Sequence, residues 1–362
     1  MKRIIILVII ALVSAGMLIA EEATLIDFSM LTADIRVPLN QNDQDSTPNQ
    51  NRQTMMDYGS VAGGSFRDEE RALMRTSLAI TNWEVTFNSS SRRIANVENS
   101  YTRESPSRQW EMVMGVRVHF PLDPAYSKAT VRPPFEIPAF EPQATIYDDG
   151  QIEYEEGVNG ITRTSRFEAQ EPGAAAYGVV KNVGTIRNVS VNVYGLNYPH
   201  RLNIILVDDH GEEKLLNMGP LNFDGWRELT WTNPQYITEV RNRDLRLVPL
   251  YPFHQPFVKF GGFSLDRDAD HIGGDFVAYF KDVKIIFDKA VLDTERDIMD
   301  EDIWNIIFTR EEARKIFEME RFGHVQILRF LDSQRQAQEP FNPLHREFGF
   351  TPTPTNDPAP TN

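Results

Sequence analysis

The chain has 362 residues, 41% of them hydrophobic, enough to bury one large core or two smaller ones. Its 52 acidic residues against 37 basic ones give a formal net charge of −15 at pH 7, which disfavours nucleic acid and anionic membranes as partners. Cysteine is absent, and with it go disulfides, thiolate metal sites, cysteine nucleophiles and lipid attachment through a cysteine.

At the start, Lys2 and Arg3 precede an apolar run from Ile4 to Val13, and Ser14, Ala15, Gly16 and Ala20 supply small residues ahead of Glu21 and Glu22. This layout predicts a cleavable export signal over residues 1–20 and no membrane anchor. A β-sandwich domain is expected over 21–292, interrupted by a polar, aperiodic loop at 40–53. Val116, Val118 and Phe120 alternate with Arg117 and His119, the period of a half-buried strand. Pro121, Pro124, Pro133, Pro134, Pro138 and Pro142 follow; lacking an N–H, they place this stretch at a sheet edge or outside a sheet. Within it Pro133, Pro134, Phe135, Ile137 and Phe140 form a candidate interaction surface, because prolines set the backbone in advance and aromatic neighbours can anchor a partner. The other reading is an edge segment packed over its own sandwich.

Strands are then expected at Val189 to Val193, Leu202 to Val207, Lys214 to Met218, Trp226 to Trp231, Asp244 to Leu250, Phe257 to Leu265, Asp275 to Phe280 and Val283 to Phe287. Asp208, Asp209, His210 and Gly211 make the turn of a hairpin. This run of short strands predicts a mainly β fold, a jelly-roll-like antiparallel sandwich. Residues 293–338 read as a helical extension, with Thr309 and Glu312 as a capping box and Gly323 as a possible break. The helix packs on its own sandwich or on a neighbouring subunit. Residues 339–362, rich in proline and threonine, are expected to be an extended or disordered tail.

No catalytic constellation stands out. The seven histidines lack metal-ligand spacing. Asp266, Asp268, Asp270 and Asp275 are spaced somewhat like a calcium loop, but His271 occupies the place of the turn glycine and Val277 that of the bidentate glutamate, so a solvated acidic loop is the reading. The adjacent Asp208 and Asp209 are turn formers and not a glycosidase pair. Trp83, Trp110, Trp226, Trp231, Tyr198 and Tyr251 are the aromatics that could stack on a sugar, or else fill the core. No cofactor or metal is expected.

Five separated blocks carry a more specific signal: LIDFS from Leu25, LAITNWEV from Leu78, the stretch from Gly115 to Phe140, DFVAYFKDVKIIFDKAV from Asp275 and IWNIIFTREEARK from Ile303. Together they resemble the spirochaete periplasmic flagellar filament outer-layer (sheath) protein, or flagellin A, family. The resemblance implies a non-enzymatic coat in the periplasm, at the periplasmic flagellum, that tunes filament stiffness and shape for motility. Its implied partners are the core flagellin subunits of the filament and neighbouring sheath subunits. A periplasmic carbohydrate-binding module is the alternative suggested by the strand order.

Overall fold

In the second half of the strand Val183–Leu196 apolar and polar residues alternate: Val189, Val191 and Val193 are fully buried, while Ser190, Asn192 and Tyr194 look the other way. A strand of this pattern needs an apolar layer on one side only, and two such layers facing each other make a sandwich. The computed structural model describes residues 20–31, 53–59, 66–123, 125–142, 144–146, 152–154, 162–169, 171, 173–245, 256–271, 273–290 and 300–338. The expected export signal, nearly all of the polar loop and the tail lie outside the described residues.

Twelve strands build the sandwich: β1 (Glu21–Asp27), β2 (Glu84–Phe87), β3 (Tyr101–Pro106), β4 (Met112–Phe120), β5 (Ser127–Arg132), β6 (Val179–Lys181), β7 (Val183–Leu196), β8 (Arg201–Val207), β9 (Glu213–Pro220), β10 (Asp224–Thr232), β11 (Phe257–Arg267) and β12 (Gly274–Lys289). They form two antiparallel six-stranded sheets. The first has the order β10-β7-β12-β4-β3, with β1 beside the second half of β12; the second has the order β9-β8-β11-β5-β2, with β6 beside the start of β11. The chain stays within one sheet only at β3 to β4, β5 to β6 and β8 to β9 and changes sheet at every other connection between these strands, the alternation of a jelly-roll-like sandwich. The central strands β11 and β12 meet across the core, where the rings of Phe263 and Phe280 stack at 4.2 Å. Phe28 fills the space beside them, with Phe260 at 6.1 Å and Trp83 at 5.5 Å. Trp83 is a core residue, its indole N–H donating to Leu78 O at 2.9 Å.

The expected strands Asp275 to Phe280 and Val283 to Phe287 are one strand with a bulge. Pairing of β7 with β12 slips between Asn192 and Val193, which leaves Lys281 as the extra residue. Its ammonium is held by Asp27 at 2.5 Å. A second bulge bends β11 at Gly262, where φ is +127° and a side chain would collide with the Val131 carbonyl. The expected strand at Asp244 to Leu250 is corrected at its first residue: Tyr236–Asp244 is a helix, and 246–250 lie outside the described residues. Charge favours the helix, with Glu239 in its first turn and Arg241 and Arg243 in its last.

The C-terminal helix also differs from expectation. It runs without a break from Ile306 to Gln338, after a short helix Asp300–Trp304 and a left-handed Asn305. Thr309 is no cap; it lies inside the first turn and donates to Asn305 O at 2.7 Å. Gly323 costs a helix about 1 kcal/mol, and the burial of the neighbouring Phe322 outweighs that cost.

At the crossing from β7 to β8 the imidazole of His200 is buried between Phe120 and Phe276, with ring centroids 4.9 and 4.8 Å away. Burial, aided by the neighbouring His271 and Arg267 and opposed by Asp268, lowers its pKa from 6.5 to about 4. The unfolded chain therefore takes up a proton that the folded chain refuses. Stability from this group is complete above pH 6.5 and is lost as pH falls towards 4, by about 3 kcal/mol. We expect His200→Leu to flatten this part of the stability profile, as measured by urea unfolding at pH 7 and 4.5; an unchanged slope would count against the assignment.

Candidate interaction surfaces

The proline-rich segment after β5 does not lie on the surface. Phe135 and Ile137 are fully buried, Phe140 is 8% exposed, Pro133 is buried and Pro134 partly so. Phe135 packs edge-on against Phe167 at 5.7 Å, and Phe140 against Phe257 at 5.8 Å. The rings of this segment turn inward, towards Phe167 and towards Phe257 of the second sheet. In this conformation they offer a partner no anchor. Phe135→Ala should cost about 3 to 5 kcal/mol of stability, as for other buried phenylalanines; a variant of unchanged melting temperature would return the segment to the surface.

Glu136, between two buried residues, explains the rest of the arrangement. Its carboxylate accepts from Lys259 at 2.8 Å and from Arg321 of the C-terminal helix. Lys259 is 1% exposed and is also bonded to Glu318 of that helix. Around this centre Arg329 pairs with Glu84 at 2.9 Å, Arg314 with Asp209, and Arg132 with Glu213 through two bonds of 2.6 and 2.9 Å. The Arg329–Glu84 and Arg132–Glu213 pairs, with Glu136, Lys259 and Arg321, line a cavity of about 350 Å³ that Phe260 and Gly261 also border. Ion pairs from Arg314, Glu318, Arg321 and Arg329 thus fasten the helix beside its buried Phe322 and Phe330. The Arg132 bonds hold the Glu213 carboxyl below its usual range.

The carboxylates of the calcium-like spacing do not converge. Asp266 accepts from Asn203 at 2.7 Å, Asp268 pairs with Arg201 at 3.1 Å, and Asp275 is taken by Arg117 and His119 at 2.9 and 3.0 Å. Among the described residues, three metal-capable side chains come together only at Asp208, Asp209 and His210. That cluster is the expected turn: Asp208 accepts from the backbone of His210 and Glu212 at 3.0 and 2.9 Å and pairs with Lys214.

The outer face of the first sheet is different in kind. Tyr194, Tyr279 and Trp226, from β7, β12 and β10, point away from the core beside Trp110, and Tyr101 of β3 is 44% exposed at the same sheet's edge. The rings meet edge to face: Tyr194 with Trp226 at 5.5 Å and with Tyr279 at 6.0 Å, and Trp226 with Trp110 at 6.3 Å. Gly115 leaves room for Tyr279; a side chain there would crowd both Ser105 and the tyrosine ring. Ion pairs surround the cluster, including Arg117 with Asp275 and Lys284 with Glu22. Of the sugar-stacking candidates, Trp110 and Trp226 are here, Trp231 and Tyr198 pack against the core, and Tyr251 lies outside the described residues. Sequence reasoning missed Tyr194 and Tyr279, although both stand at outward positions of alternating strands.

Comparisons with known proteins bear on the chain as a whole. The profile of the family described as flagellar filament outer layer protein FlaA matches residues 47–296. A flagellar filament outer layer protein of Treponema pallidum is 44% identical over 98% of this chain and 97% of its own length. Those of Spirochaeta aurantia and Borreliella burgdorferi are 41% and 30% identical, covering 88% and 75% of this chain and 88% and 73% of their own. Among solved structures, a carbohydrate-binding module in complex with β-1,4-galactotriose aligns over 58% of this chain and 90% of its own at 8% identity, with a TM-score of 0.25. A family 11 carbohydrate-binding module of a Clostridium thermocellum cellulase aligns over 57% of this chain and 88% of its own, also at 8% identity, with a TM-score of 0.24. Similarities this low carry no argument about ligands. The identities to the three curated proteins extend over most of both chains in each pair, and the chain belongs to the flagellar filament outer layer protein (FlaA) family.

Proposed function

We propose that this chain is a structural subunit of the outer layer of a flagellar filament, exported to the periplasm and coating a core built by flagellin subunits. The observation that carries the reading is the 44% identity over 98% of the chain to a protein of that name. The fold supports it from another side. Glu21, where the mature chain would begin, opens strand β1, which pairs with β12 inside the first sheet. A chain whose mature start is sheet-bound lacks the long terminal heptad helix that a polymerising flagellin core requires at that end. In this reading the mature chain comprises a sandwich domain over 21–292, a helical segment over 293–338 and a tail over 339–362. It has no turnover, no cofactor and no membrane anchor.

A coat lies far from the filament axis, where added material resists bending most, so its loss should alter curvature and swimming more than core assembly. Filaments isolated from wild-type and deletion strains, imaged by electron microscopy and paired with motility measurements, test this. Thinner filaments of changed curvature are expected on deletion, with N-terminal sequencing of the native protein starting near Glu21. Filaments of unchanged diameter, curvature and motility would overturn the reading. The aromatic cluster on the first sheet supports a second reading, a carbohydrate-binding module, which a glycan array with purified protein would reveal as saturable binding.

A further inference from the structure

The outward side of the C-terminal helix carries large apolar side chains among its polar ones. Phe317, Leu328 and Leu331 are 57%, 49% and 43% exposed, while Glu318, Phe322 and Gln326 are buried against the sandwich. With about 3.6 residues per turn, the three exposed side chains fall within about 60° of one another and opposite the buried set. Just ahead of them, Ile303 and Trp304 are 69% and 67% exposed. The helix thus does two things at once: one face is ion-paired to its own sandwich, and the other is a strip that presents Phe317 near one end and Leu328 with Leu331 near the other, with exposed Glu320 and His324 between them. Large exposed apolar side chains aligned on one side of a helix suit a contact with a partner.

We propose that this strip docks a second copy of the chain and supplies a copy-to-copy contact within the layer, an inference that rests on the outer-layer reading. Charge favours a copy as occupant at this place. The protein carries a formal charge of −15, so two copies repel over most of their surfaces. Along the strip the exposed Arg310, Glu320, Asp332 and Arg335 cancel, which makes it the side on which copies meet least opposition. His324 stands midway between Phe317 and Leu331 in the sequence, so two helices laid antiparallel about His324 set the phenylalanine of each on Leu331 of the other and the stem of Glu320 beside Leu328, an isologous contact that an aspartate at 328 would oppose with like charge.

A chain without cysteine makes the test clean. Full-length Phe317→Cys and Leu331→Cys proteins, mixed and oxidised, should give mixed disulfide dimers in far higher yield than Phe317→Cys mixed with a Ser190→Cys control on the opposite side of the molecule. In sedimentation velocity of the purified chain, Leu328→Asp should weaken self-association about tenfold or more, with an unchanged melting temperature because the side chain is half exposed. Cross-linking no better than the control, or self-association untouched by Leu328→Asp, would overturn the proposal. So would a wild-type chain that stays monomeric while Leu328→Asp loses only its binding to bare filament cores, a result that assigns the strip to the core. Absence of the wild-type protein from isolated filaments would instead sink the outer-layer reading and leave the sedimentation result standing.

Discussion

Val191→Asp should leave the protein unfolded or aggregated, whereas Ser190→Asp should fold with near-normal stability. Val191 is fully buried in the middle of the first sheet, flanked by Leu229 on β10 and Val283 on β12. A carboxylate there loses its water and meets only hydrocarbon, a cost of several kcal/mol against a whole-domain stability of about 5 to 15 kcal/mol. One residue earlier the strand shows its other face, and Ser190 stands between Thr230 and Lys284. An aspartate there is solvated and sits opposite an ammonium, an arrangement that is neutral or slightly favourable. Thermal unfolding of the two variants separates them, and equal melting temperatures would mean that the register of β7 is inverted.

Lys259→Met should cost about 3 to 5 kcal/mol and loosen the C-terminal helix first, since breaking one side of a buried ion network strands the charges of the other. Glu136 and Glu318 face each other across the lysine ammonium, and the Glu318 side chain is 3% exposed. Arg321 lies 3.8 Å from Glu318 and also serves Glu136, so it compensates only in part. The double variant Lys259→Met/Glu318→Leu removes charge from both sides and should recover much of the loss, because well-packed apolar side chains can replace a buried pair. Hydrogen exchange along Ile306–Gln338 reads the helix separately from the sandwich. A single variant as stable as wild type, with protection of the helix unchanged, would show that the network does not fasten it.

The period of two in β7 and the turn residues of the β8–β9 hairpin are local properties, and residues such as Val191, Asp208 and Gly211 carry them without reference to the rest of the chain. For the same reason the mainly β class and the jelly-roll-like strand succession were legible in the sequence, and the family through its ordered blocks. The destination of the segment from Pro133 to Phe140 was not, because proline fixes a backbone angle and says nothing about which side of the molecule receives the neighbouring rings. Nor was the fate of Gly323 or of Tyr236–Asp244, where local propensity is a fraction of a kcal/mol to about 1 kcal/mol per residue and tertiary packing outweighs it. One signal for the helix dock stood in plain view: Lys259 sits within the apolar run FVKFGGF, and a cation in a strand buried on both faces must have partners. Their identities, Glu136 and Glu318, belong to segments far apart in the chain, and only folding could bring them together. The sequence by itself determined which residues β7 turns to the core, since that depends on alternation along one strand; the tertiary structure decided the burial of both faces of β11 and which surfaces remain, since that depends on how distant segments cover one another.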